Sequence, residues 1–373
     1  MKKKAGNRQN LMRIIRLLRH SKPMTRQEIA RELDLSMPTA LANIEELLTN
    51  GILAEIGENA STGGRRAKLF GLSNEGWYGL GIQITRRHVR FALTDLAGQV
   101  LQYERIRHPF QDTSSWYRDL GTHLEEFTEK LDVDPSRILG AGISFPGIID
   151  RENNMILHSH VFDLKNVSLD RFYRCIPYPL IVENDANCAC YAERNHEKES
   201  YLYISLNESV GGALMIDRHL HGGSNWNAGE VGHVILYPQG RICYCGKKGC
   251  SDAYLNTGVL IREENESDET LDDFFHRLEE KDPDAVSVWN TYLDDLALLC
   301  SNMRMVMDMD IIIGGDIGAR MDPWIEELSM RVEPMDLFSR DVDYISACTC
   351  KKHIFSVGAA LSAIEHFDEN ILQ

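Results

Sequence analysis

The sequence predicts an α/β fold that begins with an N-terminal winged helix-turn-helix domain. Near the amino terminus, apolar residues recur at helical spacing in three successive segments. Two short apolar segments follow, separated by a polar, glycine-rich stretch, which is typical of two strands joined by a wing. Farther along, Leu180–Val182 is a continuous apolar run of the kind that forms a buried strand in an α/β body.

Helix-start signals support this interpretation. The first helix is expected over residues 8–20, with its apolar positions on one face. Thr25 and Glu28 have the spacing of a capping box at the start of the second helix. Ser36 is a good N-cap for the third, and Pro38 fits its first turn because no amide partner is lost there.

The third helix is expected to enter the major groove of DNA, as the second helix of a helix-turn-helix does. Its inward positions are predicted to be Leu41, Ile44 and Leu48. Its opposite face is predicted to contain Met37, Thr39, Ala40 and Asn43. The two strands are expected at residues 51–56 and 67–72, with the wing tip between them.

The candidate DNA contacts are Ser36, Thr39, Asn43, Arg65 and Arg66. Asn43 could pair with adenine, Thr39 could meet a thymine methyl group, and the two arginines could reach phosphates or a narrow minor groove. The third helix contains Glu45 and Glu46 and no Lys or Arg, so phosphate affinity is expected from the amino-terminal arm and the wing. The alternative is a small helical interaction domain with a solvated basic face.

Charge is unevenly distributed along the chain. Residues 1–74 contain 13 Lys and Arg against 7 Asp and Glu, whereas the remainder contains 27 against 49, within a net charge of −16. A basic head on an acidic body could hold phosphates while the body repels non-specific contact. A nucleic-acid site is therefore expected in the head.

Composition restricts the class of protein. With 373 residues, 43% of them hydrophobic, the chain suits two or three globular domains. No apolar run is long enough for a bilayer, and polar residues 7–10 interrupt the amino terminus where a secretory signal would continue. We therefore expect a cytoplasmic protein with no membrane partner, whose nine cysteines are thiols or metal ligands.

The most specific pattern is one histidine followed by three cysteines, His233, Cys243, Cys245 and Cys250. One imidazole and three thiolates supply the four ligands that tetrahedral Zn²⁺ prefers. Glycines beside the cysteines allow the tight turns that such a knuckle needs. Because all four positions are filled by protein, the zinc would be structural. The alternatives are free thiols or a redox pair.

Two polar clusters lie in otherwise apolar surroundings. Residues 183–187 follow the predicted strand at Leu180–Val182, and strand ends are where α/β folds form ligand sites. Residues 229–233 come immediately before the cysteines. Carboxylates and amides at such points suit a polyhydroxylated ligand, although each cluster alone could be a capped turn.

Five segments in order carry a family resemblance. They are Thr62–Arg66, Gly142–Gly147, Glu183–Asn187, Gly229–His233 and Cys243–Cys250. They resemble the wing signature, the sugar-pocket turn, two sugar-site motifs and the zinc motif of the ROK family, which is named for its repressors, uncharacterised reading frames and sugar kinases. The resemblance covers nearly the whole chain and points to the repressor branch.

The resemblance implies a two-lobed, actin-like, sugar-kinase-like body with sugar bound in the cleft. It implies that Asn184, Asp185, Glu230 and His233 hydrogen-bond sugar hydroxyls, with one ring nitrogen of His233 on zinc and the other on the sugar. In family kinases the Asp185 position is the general base. Asp252 stands where the family usually has Glu, and its shorter side chain could change which sugar fits.

Two departures from the family pattern predict that kinase chemistry is lost. Family kinases have Asp-x-Gly-Gly-Thr early in the body, where this chain has Gln83, Thr85 and Arg86. Their second phosphate turn, Gly-Thr-Gly-x-Gly, corresponds to Asn207–Gly211, which places the negative charge of Glu208 where phosphate would lie. Asp185 is therefore expected to contact ligand without performing catalysis.

These inferences define three predicted domains. They are the head at 1–74, a first lobe at 75–190 completed by a C-terminal helix at about 355–373, and a second lobe at 191–354. The predicted function is a homodimeric repressor of carbohydrate-utilisation genes that binds operator DNA and a sugar or sugar derivative. The alternatives are an ATP-dependent sugar kinase with a DNA-binding head and a regulator controlled by a protein partner.

Overall fold

The fold consists of two units, seen in a computed structural model that describes residues 2–19, 21–58, 67–193, 198–261, 269–338 and 342–372. Unit 1 comprises Met1–His196 and Phe355–Gln373, and unit 2 comprises Glu197–Ile354. The predicted boundary at residue 74 falls inside unit 1 and stays a prediction. Within the described ranges, no helix is both long and apolar enough to cross a membrane.

The amino-terminal part of unit 1, called the head, contains the predicted three helices and two wing strands. Its elements are α1 (Lys2–Arg19), β1 (Met24–Thr25), α2 (Arg26–Glu32), α3 (Met37–Thr49), β2 (Leu53–Glu58) and β3 (Lys68–Leu72). The strands form an antiparallel sheet in the order β1-β3-β2, and β1 had not been predicted. Residues 59–66 of the wing tip, including Arg65 and Arg66, lie outside the described residues.

The predicted starts of α2 and α3 are confirmed, whereas α1 begins at Lys2 and not at the predicted residue 8. The Thr25 hydroxyl accepts a hydrogen bond from the Glu28 amide at 3.2 Å, and the Glu28 carboxylate accepts one from the Thr25 amide at 2.7 Å. This reciprocal arrangement satisfies two amide groups that otherwise lack partners. Ser36 caps α3 by accepting from the Thr39 amide at 3.3 Å, and Pro38 lies in the first turn.

The rest of unit 1 is built on a mixed five-stranded sheet in the order β11-β7-β4-β5-β6. Its strands are β4 (Tyr78–Ile84), β5 (His88–Asp95), β6 (Val100–Arg107), β7 (Ile138–Phe145) and β11 (Leu180–Asn184). A smaller sheet contains β8 (Ile148–Asp150), β9 (Met155–Ser159) and β10 (Leu164–Ser168). The helices are α4 (Ser114–Glu129), α5 (Asp170–Cys175) and α6 (Asp185–Ala192). Every residue of β4 and β7 is buried, so these strands form the middle of the core.

Unit 2 contains a second five-stranded sheet, in the order β14-β13-β12-β15-β16. Its strands are β12 (Tyr201–Leu206), β13 (Val210–Ile216), β14 (His219–Leu220), β15 (Asp310–Gly314) and β16 (Ile345–Ala347). Its helices are α7 (Asp252–Leu255), α8 (Leu271–Glu279), α9 (Pro283–Met307), α10 (Gly315–Gly318) and α11 (Ile325–Val332). Trp289 and Tyr292 of α9 stack with ring centroids 5.3 Å apart in the centre of its core.

The last helix, α12 (Ile354–His366), returns to unit 1 and packs against the large sheet. Gly142 of β7 permits this contact, because a Cβ atom there would lie 1.9 Å from the carbonyl oxygen of Ala359. A 3₁₀ turn, Asp368–Leu372, follows the helix. The carboxyl-terminal segment is thus an integral part of unit 1.

Candidate functional site

The amino-terminal end of α3 is the exposed part of the head's helix-turn-helix. Ser36, Met37 and Pro38 are exposed and Thr39 is half-buried. The hydroxyl groups of Ser36 and Thr39 lie 2.8 Å apart and hydrogen-bond to each other. A helix end presented in this way can approach base edges with short side chains.

The other face of α3 differs from the prediction. Ala40 and Asn43 are buried, at 0% and 1% exposure, and pack inward with Ile44 and Leu47. The Asn43 amide nitrogen donates to the carbonyl oxygen of Thr39 at 2.7 Å. The prediction that Ala40 and Asn43 face DNA is therefore wrong. The buried face of α3 is centred about one residue earlier in the sequence than predicted.

The two acidic residues of α3 are held by neighbouring helices. Glu45 forms an ion pair with Arg26 of α2. Glu46 accepts a hydrogen bond from the side-chain amide of Asn7 in α1 at 2.9 Å. These contacts draw both carboxylates into interactions within the head and reduce their repulsion toward phosphates.

In unit 1, Asn184 and Asp185 lie where β11 ends and α6 begins, as the strand-end argument predicted. Asn184 caps α6, since its side-chain oxygen accepts from the Asn187 amide at 3.1 Å while its nitrogen donates to the Gly147 carbonyl at 3.0 Å. Asp185 is half-buried, and burial raises the pKa of its carboxyl to about 6. A carboxyl group with this pKa is partly protonated near pH 6 and can there donate or accept a hydrogen bond.

Glu183 belongs to the predicted polar cluster but was not one of the predicted sugar contacts, and the structure makes it a positioning residue. It is 4% exposed, and one carboxylate oxygen accepts from the Asn184 amide and from the Asn187 side chain, each at 2.9 Å. Its other oxygen pairs with Arg151 at 3.1 Å. The available signal was a carboxylate inside a buried strand, which is rarely found without partners.

In unit 2, the predicted residues Glu230, His233 and Asp252 occupy different environments. Glu230 is exposed and precedes a short 3₁₀ turn, and His233 is half-buried and is the last residue of that turn. Asp252 is 2% exposed, and its carboxylate accepts a hydrogen bond from the Val210 amide at 2.7 Å. Asp252 thus fixes the start of β13, and its contact with a sugar stays a prediction.

The four predicted metal ligands are gathered in one place, with their ligating atoms all within 4.8 Å of one another. The Cys245 and Cys250 sulfurs are 3.8 Å apart, and the Cys243 sulfur is 3.9 Å from Nδ1 of His233. A tetrahedral site with Zn–S bonds of about 2.3 Å has edges of about 3.8 Å, so the donor set fits zinc. Gly249 makes the turn possible, since its φ is +84° and a Cβ there would meet the Tyr237 carbonyl at 1.8 Å.

The second ring nitrogen of His233 lies beside a residue that the sequence reasoning missed. Nε2 is 3.3 Å from the Tyr244 hydroxyl, while Nδ1 faces the cysteine sulfurs. A hydrogen bond to the non-ligating nitrogen orients a metal-bound imidazole. Tyr244 was not singled out because it stands between two ligands in the sequence and has no recognisable spacing of its own.

The first kinase departure places a cation beside a neutral amide. Gln83 of β4 is buried, and its side-chain oxygen accepts a hydrogen bond from Arg90 of β5 at 2.8 Å. A kinase would need a carboxylate here to help organise Mg²⁺. An amide bonded to a guanidinium group cannot supply that negative charge.

The second predicted departure, at Asn207–Gly211, has Glu208 at an exposed position and Asn207 bonded to the start of α10. The Asp316 amide donates to the Asn207 side-chain oxygen at 2.8 Å, and the Gly315 amide donates to the Tyr203 hydroxyl at 3.1 Å. Both backbone amides therefore have hydrogen-bond partners within unit 2.

The chain matches two family models. The model described as the ROK family matches residues 79–360, and one described as a helix-turn-helix domain matches residues 10–56. The xylose repressor of Bacillus subtilis (strain 168) is 27% identical over 251 residues, which are 64% of each chain. The DNA-binding transcriptional dual regulator NagC of Escherichia coli (strain K12) is 23% identical over 246 residues, 65% of this chain and 61% of that one. The match thus spans less than two thirds of the length of these relatives.

Solved structures share the fold. A ROK family transcriptional regulator described as a homolog of the E. coli MLC protein has a TM-score of 0.74 at 22% identity, with 98% of each chain covered. A ROK hexokinase from Thermus thermophilus has a TM-score of 0.64 at 20% identity, with 78% of this chain and 99% of that one covered. The predicted fold class, a winged helix-turn-helix followed by a sugar-kinase-like body, is confirmed. Because the family model covers most of the chain, the protein belongs to the ROK family.

Proposed function

We propose that this protein is a sugar-responsive, DNA-binding transcriptional repressor of carbohydrate-utilisation genes that has no kinase activity. The proposal rests on one combination of features. A winged head with an exposed α3 amino terminus is fused to a kinase-like body in which Gln83, bonded to Arg90, stands where family kinases have a carboxylate. Relatives named xylose repressor and N-acetylglucosamine repressor support it.

Sugar recognition is proposed for Asn184 and Asp185 of unit 1 and for Glu230, His233 and Asp252 of unit 2, with a sugar hydroxyl replacing that of Tyr244 at Nε2 of His233. Carboxylates, an amide and an imidazole match the mixed donor and acceptor character of sugar hydroxyls. Because the named relatives include xylose and N-acetylglucosamine repressors, D-xylose and N-acetyl-D-glucosamine are the first sugars to test.

DNA recognition is proposed for Ser36 and Thr39 at the start of α3 and for Arg65 and Arg66 of the wing. We further propose that the protein acts as a homodimer, because two heads can then read the two halves of a palindromic operator. Zn²⁺, held by His233 and the three cysteines, would be structural because all four ligand positions belong to the protein.

The test uses the full-length protein with a panel of sugars and with duplexes selected by the protein from a random pool, all at one salt concentration. We expect at least one sugar to raise the melting temperature, since a ligand that binds only the folded state stabilises it. The same sugar should change the affinity for the selected duplex. Asp185→Ala and Glu230→Ala should each weaken the sugar response.

The alternatives give different results in the same assays. Phosphorylation of any panel sugar with ATP would identify a kinase and contradict the proposal. An unchanged sugar response in both Asp185→Ala and Glu230→Ala would contradict the assigned sugar residues. Duplex binding that no sugar alters would favour control by a protein partner.

A further inference from the structure

Helix α1 of the head contacts the carboxyl-terminal turn of the same unit through one shared carboxylate. Asp368 accepts hydrogen bonds from Nε and Nη2 of Arg16 at 3.0 and 3.1 Å, and from Nη1 of Arg19 at 3.4 Å. Nearby, Arg8 donates to the carbonyl oxygen of Glu369 at 3.0 Å. We call Arg16, Asp368 and Arg19 the α1 ion cluster.

Burial makes this cluster unusual among the ion pairs of the chain. The side chains of Arg19 and Asp368 are 3% and 2% exposed, whereas that of Arg16 is 54% exposed. Nε and Nη2 of Arg19 are buried and have no hydrogen-bond partner among the described residues. Since desolvation of a guanidinium is costly unless its donors are all satisfied, this contact is poorly suited to a purely stabilising role. It is suited to an element with a docked and a released state.

A continuous set of contacts leads from the proposed sugar residues to this cluster. Asp185 begins α6, and α6 packs directly on α12 at Gly358, where a Cβ atom would lie 1.6 Å from the Cys188 carbonyl oxygen. Backbones in such close contact cannot move independently. Helix α12 leads within the same unit to the turn that contains Asp368.

A second set of contacts reaches the same place. Glu183, which orients Asn184, pairs with Arg151. Arg151 lines a polar cavity of about 260 Å³ together with Arg16 and Asp368. A displacement at the end of β11 would therefore move Arg151, and with it the wall of the cavity that Arg16 and Asp368 also line.

We propose that the α1 ion cluster is the regulatory contact through which ligand at Asn184 and Asp185 changes the DNA affinity of the head. Arg16 and Asp368 act as positioning residues: they hold α1, and with it α3, against the carboxyl-terminal turn of unit 1. The inference rests on the proposed function and adds the residues that couple its two sites. Coupling of this kind is a difference in ligand affinity between the docked and released states.

The experiment compares three variants of the full-length protein. Arg16→Gln breaks two hydrogen bonds to Asp368 and leaves the Arg19–Asp368 pair in place, so that folding is preserved. Asp368→Asn removes the shared charge. Arg13→Gln is the matched control, because Arg13 lies exposed on the same helix and bonds to the Leu33 carbonyl instead. It removes the same charge from the head as Arg16→Gln does.

Two quantities are measured at fixed salt, with D-xylose and N-acetyl-D-glucosamine as probes. They are the melting-temperature shift caused by sugar without DNA and the factor by which sugar changes affinity for the selected duplex. We expect a factor of at least about 5 for the unmodified protein and for Arg13→Gln. We expect it to fall below about 2 in Arg16→Gln and Asp368→Asn, with the melting-temperature shift retained. Hydrogen exchange in residues 10–19 should rise in Arg16→Gln while that in β7 stays unchanged.

The outcomes separate this inference from the function on which it rests. An unmodified protein whose duplex affinity responds to neither sugar would overturn the sugar response to these probes, and the coupling role with it. Full coupling in both Arg16→Gln and Asp368→Asn, alongside a responsive unmodified protein, would overturn the coupling role alone. Unchanged exchange in α1 of Arg16→Gln would also overturn it, because the contact would then not hold the helix.

Discussion

Two strand ends in this protein start a helix with polar groups, and they use those groups in opposite ways. At the end of β11, Asp185 is a half-buried carboxylate whose pKa is raised by burial. At the end of β15, the amides of Gly315 and Asp316 are satisfied by Tyr203 and Asn207. The first strand end retains a group that is costly to bury and useful to a ligand, whereas the second is internally satisfied.

The difference distinguishes a polar group that is costly to bury from polar groups that are internally bonded. The proposed lack of kinase activity rests on Gln83, which is bonded to Arg90, and the four residues that could hold a metal ion lie together. The comparison of the two strand ends also gives a criterion for separating the two kinds of polar residue. Removing a group kept for a ligand should stabilise the protein, and removing a group used for internal hydrogen bonds should destabilise it.

The largest expected effect is the loss of stability when the candidate metal site, which contains His233 and Cys243, is broken. We expect Cys243→Ser to abolish binding of one zinc ion per chain and to lower the free energy of unfolding by more than about 3 kcal/mol, because structural zinc contributes folding energy directly. Zinc content and denaturant unfolding measure the two effects. Cys350→Ser, outside the cluster, is the control. A Cys243→Ser protein with one tightly bound zinc ion would contradict the assignment.

The next expected effect is a gain in stability when Asp185 is replaced. The folded-state pKa of Asp185, about 6, lies above the value of about 3.9 for an unfolded chain, so the folded state binds more protons between these pH values. Its contribution to stability is therefore most favourable below about pH 4 and declines as the pH rises through 6. Asp185→Asn should be more stable than the unmodified protein at pH 8, by at most about 3 kcal/mol, with little difference near pH 4.

Urea unfolding of both proteins at each pH measures this difference. The exposed Asp163 of the same unit provides the control variant Asp163→Asn, which should give the same difference at both pH values. Loss of stability in Asp185→Asn at pH 8 would show that Asp185 belongs with the internally satisfied groups.

The side-chain hydrogen bonds of Asn207 predict a moderate loss of stability when this residue is replaced. Asn207→Ala removes the acceptor for the Asp316 amide and the donor to the Ser205 hydroxyl. Each net hydrogen bond contributes about 1 kcal/mol, so we expect a destabilisation of about 1–2 kcal/mol with no gain of ATP binding. Asn225→Ala, at an exposed position of unit 2, should change stability by less than about 0.5 kcal/mol. Equal unfolding curves for the two variants would indicate that the turn does not depend on Asn207.

The smallest expected effects concern stability and base preference in the head, where Asn43 is internally bonded and Thr39 is a proposed DNA contact. Asn43→Ala should cost about 1 kcal/mol and leave the base preference of selected duplexes unchanged, because Asn43 is buried and bonded to Thr39. Thr39→Ala should change the base preference with a smaller effect on stability. Repeating the duplex selection with each variant tests both statements. If Asn43→Ala selects duplexes with a different base preference, Asn43 contacts DNA bases after all.

Local patterns account for much of the fold and of the candidate site. The capping box at Thr25, the cap at Ser36 and the strand that delivers Asn184 and Asp185 were predicted because each depends on groups a few residues apart. The metal ligands were predicted for the same reason: their spacing and the intervening glycines suffice to bring four donors together. Such features are largely independent of the rest of the chain.

Other features were decided only by the tertiary structure. The buried stripe of α3 contains Ala40 and Asn43 because packing in the head, and not apolarity alone, selects the inward face. Asp252 is buried against the Val210 amide, and Arg16 meets Asp368 more than three hundred residues away in the sequence. The sequence by itself determined the starts of α2 and α3, the end of β11 and the cluster of one histidine and three cysteines, whose interactions are short-range. Side-chain burial and contacts between distant residues depend on how separate segments pack, and this packing cannot be predicted from local residue spacing.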